Sequence, residues 1–419
     1  MNDRIAALKA LQDARTHHAV RQPLPEGVEA KYRQHQLPDF ARTALRLQTA
    51  LSLETPYLFP DELIAFTRTR PALPCIDSDA EMEALRKHHY LHELGNVSNL
   101  SPDYGTVIAR GLLALREKLT DSPYHQAMRI SIDAVLDLTG RYAAAARSAG
   151  NEALAAILDR VPAYPARTFR EALQSLRILH YTLGRFDQYL MPYLQSDLDA
   201  GRETPETALA LVEAFFLACN RDSDLYPGVQ QGDNGQSLVL GGMDKNGRDG
   251  FNLLSQLCLK AAAELRLIDP KINLRVSRDT PLRVYELGTE LTKLGLGFPQ
   301  YSNDDVVIPG LEALGYAPED AQNYAIAACW EFIIPGRGME IPNIGRLPFA
   351  NVTDQVIREK LASCSSMDEL LVCLRTAIAE NVRDTVQAIH DLYLLPAPFL
   401  SRSVPAPCAF SFVVLRGLP

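Results

Sequence analysis

The sequence lacks several things that would each point to a definite class. It has no run of basic residues, no Cys-x-x-Cys pair and no His-Glu-x-x-His. It also has no uninterrupted apolar stretch near the ~18 residues that a membrane helix needs. With a formal net charge of −9, the chain has no electrostatic footprint for nucleic acid. Seven cysteines, an odd number without paired spacing, exclude a disulfide framework and a zinc site and leave reduced thiols as the expectation. The opening residues, MNDRIAALKALQDARTHH, are charged and carry no apolar segment of the signal-peptide kind, so no leader or membrane anchor and a cytoplasmic location are expected. The cluster His88, His89 and His92 lacks metal-ligand spacing and reads as a partly solvated helix face.

What is present is apolar mass and helical punctuation. With 47% hydrophobic residues in 419, the chain can bury a large core. Residues 1–120 read as mainly helical, broken at RQPLPEG, ETPYLFPDE and RPALPC. SPDYGTVIARGLLALREKL reads as one amphipathic helix, with Ser101 as cap and Pro102 in its first turn. TPETALALVEAFFLACN uses Thr204 as cap and Pro205 as the first helical residue, and DTPLRVYELGTELTKLG closes on Gly295. Between such helices, SLVLGG at 237–242 and INLRVS at 272–277 read as short buried strands, which gives an α/β layout.

The segment NYAIAACWEFIIPGRG, residues 323–338, asks for an explanation of its own. In a helix, residues two apart point about 200° away from each other, so Cys329 and Glu331 act together only in an extended or looped segment. Extended geometry puts Ala325, Ala327, Cys329 and Glu331 on one small, reactive side, with Tyr324, Ile326, Ala328 and Trp330 opposite. Two readings stay open on these residues alone. A buried cysteine commonly serves as a small hydrophobe beside a solvated strand end. A carboxylate buried without a partner is costly, which favours a chemical role.

The stretch GLGFPQYSNDDVVIPGLEALGYAPEDAQNYAIAACWE resembles the segment of glycyl radical enzymes, the pyruvate formate-lyase family, that leads into the thiyl-radical loop. The matching positions are Gly295, Gly297, Pro299, Asn303, Asp304, Gly315, Glu319, Asp320, Ala321, Tyr324, Cys329 and Glu331. Four further stretches are similar to that family, in the same order: VPAYPARTFREALQSL, LGRFDQYLMPYLQSDLDAG, LVLGGMDKNGRDGFNLLSQLCLKA and LIDPKINLRV.

The resemblance implies the N-terminal portion of a ten-stranded α/β barrel. A helical region at 1–120, a partial barrel domain at 121–408 and an unmatched tail at 409–419 follow from it. It implies Cys329 as the thiyl radical that abstracts hydrogen from substrate and Glu331 as general base. The chain resembles the Cys-x-Glu branch of dehydratases, C–N, C–S and C–C lyases and decarboxylases, because Cys329 has Ala328 and Trp330 as neighbours instead of a second cysteine. Gly95-Asn96 in place of Gly-His, and HYTL running from His180 into Gly184, argue against glycerol or choline as substrate; His180 reads as helix packing. Phe298, Tyr301 and Asn303 are expected as pocket wall, and Arg185 with Asp187 as a buried ion pair.

The family's Arg-Val-x-Gly-Tyr loop, whose glycine stores the radical, has no counterpart in the sequence, and Arg416-Gly417 lacks its spacing and its tyrosine. The expectation is therefore a chain inactive alone, holding part of a barrel with unpaired strand edges. It is either completed by a second chain bearing the glycine or an inactive remnant; a non-radical cysteine enzyme or interaction scaffold is the remaining reading. No bound cofactor is expected. The partners implied are a small-molecule substrate, a radical-SAM activating enzyme and possibly a second copy as homodimer, with neither nucleic acid nor membrane.

Overall fold

A computed structural model describes residues 1–81, 83, 99–179, 182–222, 225, 236–244, 246–327, 331–337, 339–340 and 347–394. Cys329, Trp330, His180, the cluster His88, His89 and His92, and the tail at 409–419 lie outside these residues. No helix among the described residues is long and apolar enough to cross a membrane.

The chain opens with helices α1 (Asp3–Asp13) and α2 (Asp39–Leu53). The short strand β1 (Asn99–Leu100) is followed by α3 (Tyr104–Arg110), α4 (Leu112–Glu117), α5 (Pro123–Ser148), α6 (Glu152–Arg160), α7 (Phe169–Leu179), α8 (Phe186–Asp199) and α9 (Pro205–Asn220). Strand β2 (Ser237–Gly241), α10 (Leu253–Leu265), β3 (Lys271–Val276), α11 (Leu282–Thr292), β4 (Gln300–Asn303) and α12 (Asp304–Ala313) then alternate. After the short α13 (Pro318–Gln322) come β5 (Ala325–Ala327), β6 (Glu331–Ile333) and β7 (Met339–Glu340), and helices α14 (Phe349–Lys360) and α15 (Met367–Leu394) end the description.

The α/β expectation takes a specific form. Strands β2, β3 and β4 make one parallel sheet in chain order, with β3 in the middle. The crossovers are α10 and α11, as parallel pairing requires. Strand alternation sorts the two faces. Leu238, Leu240, Ile272, Leu274 and Val276 belong to the large helix-side core that also contains Phe215, Leu257 and Leu291. On the opposite face, Val239 joins a smaller cluster with Tyr324, Ala325, Ile326, Ala327 and Ile333. The three parallel strands therefore carry helices on one face and the smaller cluster on the other.

Helix α9 shows why the core gathers where it does. Thr204 and Thr207 form a reciprocal capping box with Pro205 in the first turn, as the sequence predicts. Beyond the cap the helix is buried on every side from Ala208 to Cys219, with Glu213 as the charged residue among apolar ones, which makes it a central strut. Burying Phe215 and Phe216 contributes about 1.5–3 kcal/mol each. The same core takes in Ile5, Phe59 and Ile64 from the N-terminal helical region. Residues on either side of position 120 therefore share one hydrophobic interior.

The single amphipathic helix expected from SPDYGTVIARGLLALREKL is two helices. Asp103, not Ser101, caps the first: its Oδ1 accepts from the Thr106 N–H at 3.1 Å. Ser101 is fully buried, and its carbonyl accepts from Gly336 N–H at 2.8 Å. The break falls at Gly111, with φ of 76°. There the N–H groups of Leu112 and Leu113 leave the helix and donate to the carbonyls of Pro162 (2.9 Å) and Ala163 (3.0 Å). A Cβ at Gly111 would stand 2.5 Å from the Ala163 carbonyl oxygen, so tertiary approach overrides helical periodicity.

Candidate active site around the β5–β6 hairpin

Strand β5 is built from small and apolar residues, all fully buried. It pairs antiparallel with β6 in the register Ala325↔Ile333, Ile326↔Phe332 and Ala327↔Glu331. A single extended strand from Ala325 to Glu331 is therefore corrected to a hairpin: the chain reverses between Ala327 and Glu331, and turns again at 334–337, where the Arg337 N–H donates to the Ile334 carbonyl at 3.0 Å. Ala327 and Glu331 are the last paired residues before the stretch that carries Cys329. Glu331 is half-buried there.

The hairpin is moored by one buried network. The Tyr324 phenol donates to Asp304 Oδ1 at 2.7 Å. Arg275 donates to the same carboxylate through Nε (2.8 Å) and Nη2 (2.9 Å), and through Nη1 to the Tyr324 carbonyl (2.8 Å). Its guanidinium also lies over the Tyr324 ring, 3.8 Å from the centroid. Asp304 accepts in addition from the Met243 N–H at 2.6 Å. Arg275, Asp304 and Tyr324 are fully buried, and burial raises the Tyr324 pKa above its ordinary value, so the phenol stays protonated as a donor. A bidentate pair with every remaining polar atom engaged is the geometry in which a buried salt bridge holds. The network joins β3, the start of α12 and the start of β5.

The expected Arg185–Asp187 ion pair is absent among the described residues. The two grip the end of β2 separately. Arg185 Nη2 donates to the carbonyls of Gly241 (3.1 Å) and Met243 (3.0 Å), and Nη1 to that of Gln322 (3.2 Å). Asp187 accepts from the Gly241 N–H (2.7 Å), Ser255 Oγ (2.5 Å) and Gln188 Nε2 (2.9 Å). Burial, with Arg275 nearby, brings the Arg185 pKa down to about 10, and burial raises that of Asp187. Both residues act on Gly241, one on each side of its peptide groups. Gly241 and Gly242 have φ of 68° and 79°, and a Cβ on Gly242 would stand 2.5 Å from Arg275 Nε. Only glycine admits this approach.

The three residues expected as pocket wall have other surroundings. Phe298, ahead of a cis Pro299, lies in the helix-side core. Tyr301 stacks on Tyr285 of α11, with ring centroids 6.1 Å apart and planes 14° apart. Asn303 caps α12, its side chain accepting from the Asp305 N–H at 3.0 Å. Alternation along β4 puts Tyr301 and Asn303 on the face opposite Ser302. The roles of Arg275, Tyr324 and Asp304 were not assigned by sequence reasoning, although Asn303-Asp304, Tyr324 and the LIDPKINLRV stretch supplied the signal.

Cys219 and Cys258 are packing residues. Both are fully buried, and burial pushes the Cys219 thiol up to about 12 and the Cys258 thiol well above its ordinary value.

Known proteins resemble this chain in sequence and in fold. The isethionate sulfite-lyase of Oleidesulfovibrio alaskensis is 29% identical over 300 residues, covering 61% of this chain and 36% of that protein. The trans-4-hydroxy-L-proline dehydratase of Clostridioides difficile is 26% identical over 279 residues, covering 56% and 34%. The chain thus spans about a third of the length of the curated relatives it matches. Two solved structures share the fold. One, from work on 1,2-propanediol dehydration in Roseburia inulinivorans, has a TM-score of 0.75 at 23% identity and covers 99% of this chain and 67% of its own. The other, a Clostridioides difficile hydroxyproline dehydratase with substrate bound, has a TM-score of 0.77 at 17% identity, covering 99% and 66%. The model of the pyruvate formate lyase-like family matches residues 76–367, well over half the sequence and including the whole hairpin, and the chain belongs to that family.

Proposed function

We propose that this chain is the part of a glycyl radical lyase or dehydratase that carries the thiyl-radical cysteine and the general base. Cys329, as a thiyl radical, takes a hydrogen atom from a substrate C–H and becomes a thiol. The carboxylate of Glu331 accepts a proton from the adjacent hydroxyl, and the leaving group departs with its bonding electron pair from the neighbouring carbon. The product radical takes the hydrogen atom back from the Cys329 thiol, restoring the thiyl radical. The observation that carries this reading is the hairpin. Its last pair, Ala327↔Glu331, brackets Cys329, and its base is fixed by the buried Arg275–Asp304–Tyr324 network. Small residues at Ala325 and Ala327 keep bulk away from the reacting side.

The assembly proposed has three further components. They are a polypeptide segment with the Arg-Val-x-Gly-Tyr glycine, a radical-SAM activating enzyme that installs its radical, and the remaining strands of a ten-stranded barrel. The relatives act on isethionate and on trans-4-hydroxy-L-proline, so the substrate class is a small hydroxylated molecule whose C–S or C–O bond breaks. Anaerobic co-expression of these components tests the proposal. An organic radical signal in paramagnetic resonance, with turnover that air destroys, is expected. A Glu331→Gln protein should keep that signal while turning over about 10²–10⁴-fold more slowly. Undiminished turnover in air, or an unchanged rate in Glu331→Gln, would contradict it.

A further inference from the structure

The hairpin-side face of the sheet carries polar groups that no protein partner satisfies. In the register of β2, β3 and β4, Val239, Asn273 and Gln300 form one row, and Gly241, Arg275 and Ser302 the next. Alternation turns all six toward the side on which Val239 meets Ala325 and Ala327. Arg275 is engaged by Asp304 and Tyr324. Asn273 Oδ1, Gln300 Oε1 and Ser302 Oγ are enclosed from solvent and have no hydrogen-bond partner. Asn273 is fully buried and its amide nitrogen is directed to the Lys271 carbonyl at 3.4 Å, which leaves the amide oxygen open. Ser302 is only 4% exposed.

Three such atoms at adjoining positions on two neighbouring strands are unusual, because each enclosed and unmatched polar group costs about 1–3 kcal/mol. Two amide oxygens and a hydroxyl accept hydrogen bonds. The ion pair of Arg275 with Asp304 is internally neutral, and Arg185, also buried, is held by carbonyls.

We propose that Asn273, Gln300 and Ser302 form a binding subsite for the hydroxyl or amide N–H donors of a neutral ligand. This rests on the reading of the β5–β6 hairpin as the reacting centre, since the subsite shares its face of the sheet. An anionic group such as a carboxylate or sulfonate would set its oxygens against the two amide oxygens, with the Ser302 hydroxyl as the donor opposing them, and is disfavoured there.

Ligand-observed saturation-transfer NMR on the full chain tests the subsite, with glycerol as a probe of hydroxyl binding and propionate as an acceptor-only control. Glycerol should bind the wild-type protein and propionate should not. Gln300→Met and Ser302→Ala should each weaken glycerol about tenfold, the effect of one lost hydrogen bond to an enclosed acceptor. Without ligand, both variants should unfold at or above the wild-type temperature in calorimetry, because an unmatched polar atom has been removed. Failure of glycerol to bind, equal binding by the variants, or a lower unfolding temperature for both overturns the proposal; the last would reveal a protein partner for these atoms. Binding is read without turnover, so its failure removes the subsite and leaves the roles of Cys329 and Glu331 to their own test.

Discussion

Two buried polar regions of this chain are built differently. Under the N-terminal helices, three buried guanidinium groups each meet a carboxylate of their own: Arg221 with Glu62 at 2.8 Å, Arg177 with Asp222 at 3.0 Å and Arg68 with Glu54 at 2.6 Å. These pairs bind the segment at 54–68 to the helical core. At the sheet, one guanidinium is matched and another is not. Arg275 shares Asp304 with Tyr324, Arg185 is held by carbonyls alone, and Asn273, Gln300 and Ser302 are left unmatched. The first region uses these charged pairs to hold the fold, although Arg221 Nε and Thr43 Oγ1 are unmatched there as well. The second keeps some in reserve beside the hairpin that carries Glu331, as expected where stability is traded against function.

The comparison can be broken by removing one partner at a time. Arg275→Met should have the largest effect, about 3–5 kcal/mol in denaturant unfolding, because it strands Asp304 in the interior. Glu62→Gln should cost nearly as much by stranding Arg221. A loss below about 1 kcal/mol in either would show that these pairs are not desolvated as the structure has them. Gly242→Ala comes next, at about 1–3 kcal/mol, from the left-handed backbone and the approach of Arg275. Arg185→Met should cost less than Arg275→Met, because no carboxylate is left unpaired. The reverse order in the same assay would mean that Arg185 has an anionic partner in solution.

The smallest effect expected is a pH slope from His17. Burial, with Arg221, Arg21 and His18 nearby, lowers its pKa from 6.5 to about 4, and its Nε2 lies 2.7 Å from the Arg221 carbonyl. The neutral form is the one that fits. Between about 6.5 and about 4 the unfolded chain binds the extra proton, so stability is fully present above 6.5 and falls as the pH drops through that window. Unfolding midpoints across the window should decline more steeply for wild type than for His17→Gln, and identical profiles would remove His17 as the cause.

Much of the helical framework was legible because its signals are local. The Thr204–Pro205 cap and the strands at 237–241 and 271–276 are written in single short stretches, whereas the helix expected to close on Gly295 ends at Thr292. What escaped sequence reading was set from a distance. Gly111 breaks a well-patterned helix because residues 162–163 approach it, and the reversal after Ala327 depends on pairing with residues that follow. Arg185 and Asp187 suggest an ion pair by spacing and charge. The glycine between them in space draws one to its carbonyl and the other to its N–H. Of the expected site residues, Glu331 stands at the hairpin, whereas Phe298, Tyr301 and Asn303 serve core, helix packing and capping. Neighbours in sequence on β4 alternate between faces, and proximity to the motif could not say which face each would take.

The measurement that bears most directly on the role of Cys329 is anaerobic turnover by a Cys329→Ala protein in the reconstituted assembly, beside wild type prepared identically. The expected result is no product with the radical signal still installed, because hydrogen abstraction has no carrier. Turnover at the wild-type rate would contradict the account and return Cys329 to the role of a small buried hydrophobe.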